Sequence, residues 1–184
     1  MRRSGDQTKA AILTAARERF AADGYERATI RAIAADAATD PALVMRHFGN
    51  KEKLFAAAAD FDLHLPDLST LPTEELGTTL VDHFLRRWEE DDTLQALLRA
   101  AVTNEAAADR MREIFTSQLA TAAAGLADQA ELRAGLVASQ TLGLGLCRYV
   151  LILGPVAEMP RATVLAWLGP TVQRYLTAAD PLAG

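Results

Sequence analysis

Apolar positions along the chain recur at helical rather than alternating spacing, and the breaks between recurring stretches are short and acidic, polar or marked by Gly and Pro. Over residues 7–22, Ile12, Leu13, Ala16 and Phe20 mark a first helix that Asp23-Gly24 stops. Thr29 precedes Ile30, Ile33, Ala34 and Ala37, an i, i+3, i+4, i+7 stripe whose threonine can cap the first-turn amides. Asp40-Pro41 reads as a cap and first helical position for a third helix, after a turn of about three residues. Asn50 caps a fourth, carried by Lys51, Leu54, Phe55, Ala58, Phe61 and Leu65, that Pro66 stops; residues 66–72 read as a hinge or inter-domain connection. Helical periodicity returns over 74–88, 94–102, 105 to about 127, 131 to about 153 and 162–178. The pattern predicts an all-α protein of about nine helices.

Composition sharpens this. The 184 residues, half of them hydrophobic and 23% charged, fit one compact unit or two closely fused small ones. Alanine fills 37 positions, which favours helix. A single cysteine, Cys147, can make neither an internal disulfide nor a cysteine metal cage, and no metal or cofactor is expected. Arg2 and Arg3 are followed by polar residues rather than an apolar leader, and no segment reaches roughly 18 uncharged apolar residues, so a cytoplasmic location is expected.

The net charge of −5 hides a change of sign. Residues 1–53 carry ten Lys and Arg against seven Asp and Glu, net +3; residues 54–184 carry nine against seventeen, net −8. That division suggests a small module at 1–53 that touches a polyanion and a larger acidic body at 54–184 with another task. Within the third helix, roughly 100° per residue puts Val44 and Phe48 on one side and Ala42, Arg46 and Gly49 on the other. Two short helices joined by a tight turn, the second presenting a small, partly basic outward face, have the geometry that places a recognition helix in the DNA major groove.

The string from Thr29 to Phe55, TIRAIAADAATDPALVMRHFGNKEKLF, preceded by Phe20, Gly24 and Tyr25, resembles the tetracycline-repressor (TetR) family of bacterial transcriptional regulators. The resemblance rests on Thr29, Ile33-Ala34, Phe48 and the Lys51-Glu52-Lys53-Leu54-Phe55 start of the fourth helix, and the acidic remainder looks like an actinobacterial branch. It implies an N-terminal three-helix DNA-binding domain, with its helix-turn-helix at about 29–48, and a C-terminal ligand-binding and dimerisation domain. The family usually has Gly where Ala38 stands, and aromatics where Met45 and His47 stand.

The implied DNA-binding set is Thr29, Arg31, Thr39, Pro41, Ala42, Met45, Arg46, His47 and Lys51. Ala42 is small enough to let the helix approach the groove floor and touch a thymine methyl, and Met45 keeps apolar reach without a hydroxyl. Arg46 can pair with guanine or with phosphate. Thr29 and Lys51 sit at helix starts, where phosphate oxygens are received. Thr39 and Pro41 line the leading end of the recognition helix. His47 is either structural or a phosphate contact, and Arg31 either a surface charge or a backbone contact.

One recognition helix reads too few base pairs, so a homodimer on a palindromic double-stranded operator is expected, with half-sites about 34–36 Å apart or multiples of that. Gly135, Ser139, Gly143 and Cys147 form a small-residue stripe in the eighth helix where a partner helix could approach, packing within one subunit being the alternative. The resemblance adds the last helix to that interface. A small-molecule effector is expected between helices of the acidic body, where Phe61, Phe84, Trp88, Leu97, Met111, Phe115 and Leu119 could line a pocket or simply form core. The combination describes a repressor released by its effector. The alternatives are a helical adaptor without DNA binding or a helical enzyme. Against the enzyme, there is no G-x-S-x-G elbow, no P-loop string, no H-E-x-x-H and no Glu-x-x-His pair, so no catalytic residue is expected.

Overall fold

The computed structural model describes residues 5–58, 62–90, 92–124 and 128–179. Among them are ten α-helices, nine of seven or more residues, and no strand, as the periodicity predicts. The helices are α1 (Gly5–Arg27), α2 (Ile30–Asp36), α3 (Pro41–Phe48), α4 (Lys51–Ala58), α5 (Leu76–Glu90), α6 (Asp92–Ala101), α7 (Glu105–Ala123), α8 (Ala130–Gly145), α9 (Gly154–Ala157) and α10 (Arg161–Thr177). They fall into two compact units: Met1–Phe61 with Asp92–Met111, and Asp62–Asp91 with Arg112–Gly184. The first therefore holds α4 and α6 as well as the three N-terminal helices.

The first unit closes around Ile12, Ala16 and Phe20 of α1, Ile33 and Ala34 of α2, Val44 and Phe48 of α3, and Leu54 and Phe55 of α4, all buried. Phe55 meets Phe20 edge-on at 4.9 Å and Tyr25 at 5.0 Å between ring centroids, in the separation range where aromatic pairs attract beyond their buried area. The stop expected at Asp23-Gly24 is a kink: Gly24 sits at φ 76°, ψ 165°, and helical assignment resumes to Arg27. Arg19 grips Asp36 with two prongs, Nε to Oδ2 at 2.8 Å and Nη2 to Oδ1 at 2.7 Å, joining α1 to α2. Arg17 Nε donates to the Ala58 carbonyl at 2.9 Å, joining α1 to the end of α4.

The second unit is built on the pairing of α5 with α10. Gly77 lets the two backbones touch: a Cβ there would stand 2.7 Å from Gln173 Cα and closer still to the Gly169 carbonyl oxygen and the Gln173 nitrogen. Gln173 seals the contact, its Oε1 accepting from the Gly77 amide at 2.7 Å and its Nε2 donating to the Thr73 carbonyl at 2.6 Å. Trp88, fully buried on α5, fills the space beside Gly145, where a Cβ would come within 2.6 Å of the indole. Arg161 then ties the start of α10 to α5 through Asp82 (2.8 Å) and Glu89 (3.1 Å).

Two helices end earlier than their periodicity suggests. The helix expected to run through Leu65 is described only to Ala58, and residues 62–67 have no regular structure. There Asp62 Oδ1 accepts from the His64 amide at 2.8 Å, an Asx-type turn that competes with helix, and His64 takes φ 49°. Leu63 is clamped from both sides: its amide donates to Gln118 Oε1 at 2.7 Å, and His83 Nε2–H donates to its carbonyl at 2.7 Å. Burial holds the His83 pKa below its ordinary value, which favours the neutral ring. The helix expected from 131 to about 153 gives way at Gly145 to a π-turn, Leu146–Val150, closed by the Leu151 amide on the Leu146 carbonyl at 2.8 Å.

Candidate nucleic-acid interface

The turn between α2 and α3 follows from the residues that start and stop the two helices. Thr29 caps α2, its hydroxyl oxygen accepting from the Ala32 amide at 3.1 Å. At the other end, Thr39 N–H donates to the Ala34 carbonyl (2.9 Å) and Ala38 N–H to the Ala35 carbonyl (3.0 Å), the paired 6→1 and 5→2 bonds of a Schellman stop. Ala38 occupies the left-handed position of that stop at φ 50°, where glycine is usual. Asp40 then caps α3 through the Ala42 amide at 2.7 Å, with Pro41 as the first helical residue.

Ala38 thereby pays a left-handed penalty that glycine avoids at some entropic cost. Ala38→Gly is expected to stabilise the protein by about 0.5–1 kcal/mol and to raise its Tm by about 1–4 °C. Thermal unfolding followed by circular dichroism checks this, and a lower Tm would contradict the strain argument.

The third helix turns Val44 and Phe48 inward, the first with no exposed surface, and leaves Ala42, Met45 and Arg46 exposed. Pro41 and His47 are half-buried, and the His47 ring lies tilted 6.3 Å from Phe48. Arg31 on α2 is exposed and Thr39 in the turn half-buried. Gly49, at φ 84°, ends α3, and Asn50 caps α4 through the Lys53 amide at 2.8 Å. Lys51 is tied back to its own unit: its ammonium donates to the Glu26 carbonyl at 3.1 Å and lies 4.4 Å from the centre of the Tyr25 ring. Sequence spacing gives no sign of that tie, because the partners lie 25 and 26 positions away.

The described residues considered for an effector pocket are all buried. Phe84 and Trp88 on α5 and Phe115 and Leu119 on α7 are buried in the second unit, Phe84 stacking on Phe115 at 5.8 Å. Leu97 and Met111 are buried in the first unit, and Phe61 lies outside the described residues. The second unit carries a cleft of about 660 Å³ lined by the 62–69 segment and by Ser117, Gln118 and Thr121, and a groove of about 440 Å³ lined by Gly143, Cys147, Met159, Val164, Trp167 and neighbours. None of the seven candidates lines either.

Of the small-residue stripe, Gly135, Ser139 and Gly143 are exposed and Cys147 is half-buried. A Cβ at Gly135 or Gly143 would meet nothing within 4 Å among the described residues, so no described neighbour there requires glycine. Sequence reading missed the apolar residues exposed in the same unit: Leu132 and Leu136 on α8, Leu151, Ile152 and Leu153 beyond the π-turn, and Trp167, 76% exposed, on α10. The available signal was an indole standing off the buried Val164, Val172 and Leu176 stripe of its helix.

A family model described as bacterial regulatory proteins, tetR family, matches residues 12–58, and one described as tetracyclin repressor-like, C-terminal domain, matches residues 74–176. Among solved structures, a TetR-family regulator from Streptomyces coelicolor A3 is 32% identical, with 96% of this chain and 98% of that chain covered and a TM-score of 0.67. A transcriptional regulator from Rhodococcus sp. Rha1 (22% identity, 95% and 96% coverage, TM-score 0.63) shares the fold. So does NalD, the secondary repressor of the MexAB-OprM multidrug efflux pump in Pseudomonas aeruginosa (19%, 96% and 100%, TM-score 0.61). No curated protein matches the chain.

Proposed function

Because the chain belongs to the TetR family of bacterial regulators, we propose that it acts as a repressor that occupies a palindromic operator as a homodimer and leaves it when a small molecule binds the C-terminal domain. It is a DNA-binding transcriptional regulator. No helix among the described residues is long and apolar enough to cross a membrane, and we read its working compartment as the cytoplasm. We assign it no catalytic step, cofactor or metal.

The observation that carries the proposal is the exposed Ala42, Met45 and Arg46 face of α3, held at the end of a doubly capped turn. In this reading α3 enters the major groove, with Pro41 and Thr39 leading and Ala42 allowing close approach. Arg46 reaches a guanine edge or a phosphate, while Arg31, Thr29, His47 and Lys51 lie along the backbone. Lys51 keeps donors for a phosphate beyond the bond it gives Glu26, and Thr29 keeps its hydroxyl proton. The functional division stays at 1–53 for operator binding and 54–184 for regulation and dimerisation.

The open stripe of α8, together with Trp167 and the 151–153 ridge, supports a second copy as its cover, since a large exposed apolar patch marks an association surface. The clefts of the second unit support an effector site there, and of the seven residues named above Phe84, Trp88, Phe115 and Leu119 belong to that unit.

Genomic fragments selected on the purified protein give the operator, and its affinity should fall with salt by a log–log slope of about −0.9 per phosphate neutralised. Arg46→Ala is expected to lose about 1–3 kcal/mol of operator preference if Arg46 reads a base, or to weaken all sequences equally if it holds phosphate. Unchanged binding would remove Arg46 from the interface. A salt-independent protein that retains no fragment would be an adaptor.

A further inference from the structure

We propose that Met45 is a specificity-determining residue that reads the C5-methyl group of a pyrimidine in the operator. The assignment rests on the reading that α3 enters the major groove.

Met45 is 43% exposed, and of the large hydrophobic residues described in the first unit only Val102, beyond the end of α6, shares that exposure. Single exposed apolar side chains are ordinary on protein surfaces; the position of this one is what matters. It stands on the flank of the exposed face, about 60° round the helix from Ala42 and about 100° from Arg46, and keeps its side chain in solvent beside the buried Phe48. A thioether donates no hydrogen bond and accepts only weakly, so Met45 gains little from phosphate oxygens or from the polar edges of bases. The major groove offers one apolar feature, the methyl at pyrimidine C5. A long, unbranched and polarisable side chain can adjust to meet it, where the Ala42 methyl is too short to search.

Helical rise also relates Met45 to its neighbours. Met45 and Arg46 are neighbours about 1.5 Å apart along the axis, and Ala42 to Arg46 spans about 6 Å, less than two base-pair steps of about 3.4 Å. The Met45 and Arg46 side chains therefore leave the helix at nearly the same level. Thymine carries the C5 methyl, and 5-methylcytosine presents the same group at the same groove position.

The test uses full-length protein and the selected operator. In one arm each thymine is replaced in turn by deoxyuridine; in the other each cytosine is replaced by 5-methylcytosine. Losing one buried methyl is expected to weaken binding about fourfold per half-site. If thymine is the source, one uracil position shows that loss; if 5-methylcytosine is, one methylated position shows the corresponding gain. Met45→Leu keeps the sensitivity and Met45→Gln abolishes it. An operator that binds with neither arm showing a change, or a Met45→Gln protein with undiminished sensitivity, overturns the assignment while leaving DNA binding intact. Failure of the unsubstituted protein to retain any fragment overturns the groove reading and this assignment with it.

Discussion

Gly77→Val is expected to destabilise the protein by about 3 kcal/mol or more, the upper end for overpacking, because the added atoms meet backbone rather than flexible side chain. A Cβ at Gly77 is already inside contact distance of Gln173 and Gly169 on α10, and neither can retreat without moving the helix. Opening that contact also costs the Gly77 amide its bond to Gln173 Oε1. Urea unfolding should show a lower midpoint, and a midpoint within error of the wild type would mean that α5 and α10 are not in backbone contact.

Trp167→Glu is expected to convert a dimer into a monomer and to weaken operator binding by about 10² to 10⁴-fold. Two linked recognition helices gain roughly that factor over one when both half-sites are engaged. The indole is 76% exposed beside a groove lined by Gly143, Cys147 and Met159, so the substitution disturbs little inside the subunit. Sedimentation and operator titration measure the two effects together. A variant that stays dimeric with unchanged affinity would show that the partner sits elsewhere.

The first unit was legible in the sequence because its boundaries are local events. Thr29, Asp40-Pro41 and Asn50 cap their helices through partners two or three residues away, and periodicity assigned Ile33, Val44 and Phe48 to the core. Even the departure at Ala38 was visible, since a stop that needs a left-handed residue needs it whatever the side chain. The second unit was less legible where long-range contacts decide. Gly77 and Gln173 are 96 positions apart, and no spacing rule links them. The turn at 62–64 and the π-turn after Gly145 interrupt sequences whose own periodicity would have continued the helix.

Periodicity listed Ala42 and Arg46 on the exposed face of α3 in advance, whereas Met45 entered with the residues that the resemblance implies. The tie of Lys51 to Glu26 and Tyr25 could not be listed, because it depends on how α1 ends against α4. Trp167 escaped for the opposite reason: apolar residues on a helix are read as core, and an exposed indole becomes apparent only when the buried stripe is known.

The aromatic trio of Phe20, Tyr25 and Phe55 locks α1 to α4, and with the two-pronged Arg19–Asp36 grip it leaves the first four helices few ways to deform separately. Loosening any one of them would expose the shared ring cluster, so these helices should open and close as a single cooperative block.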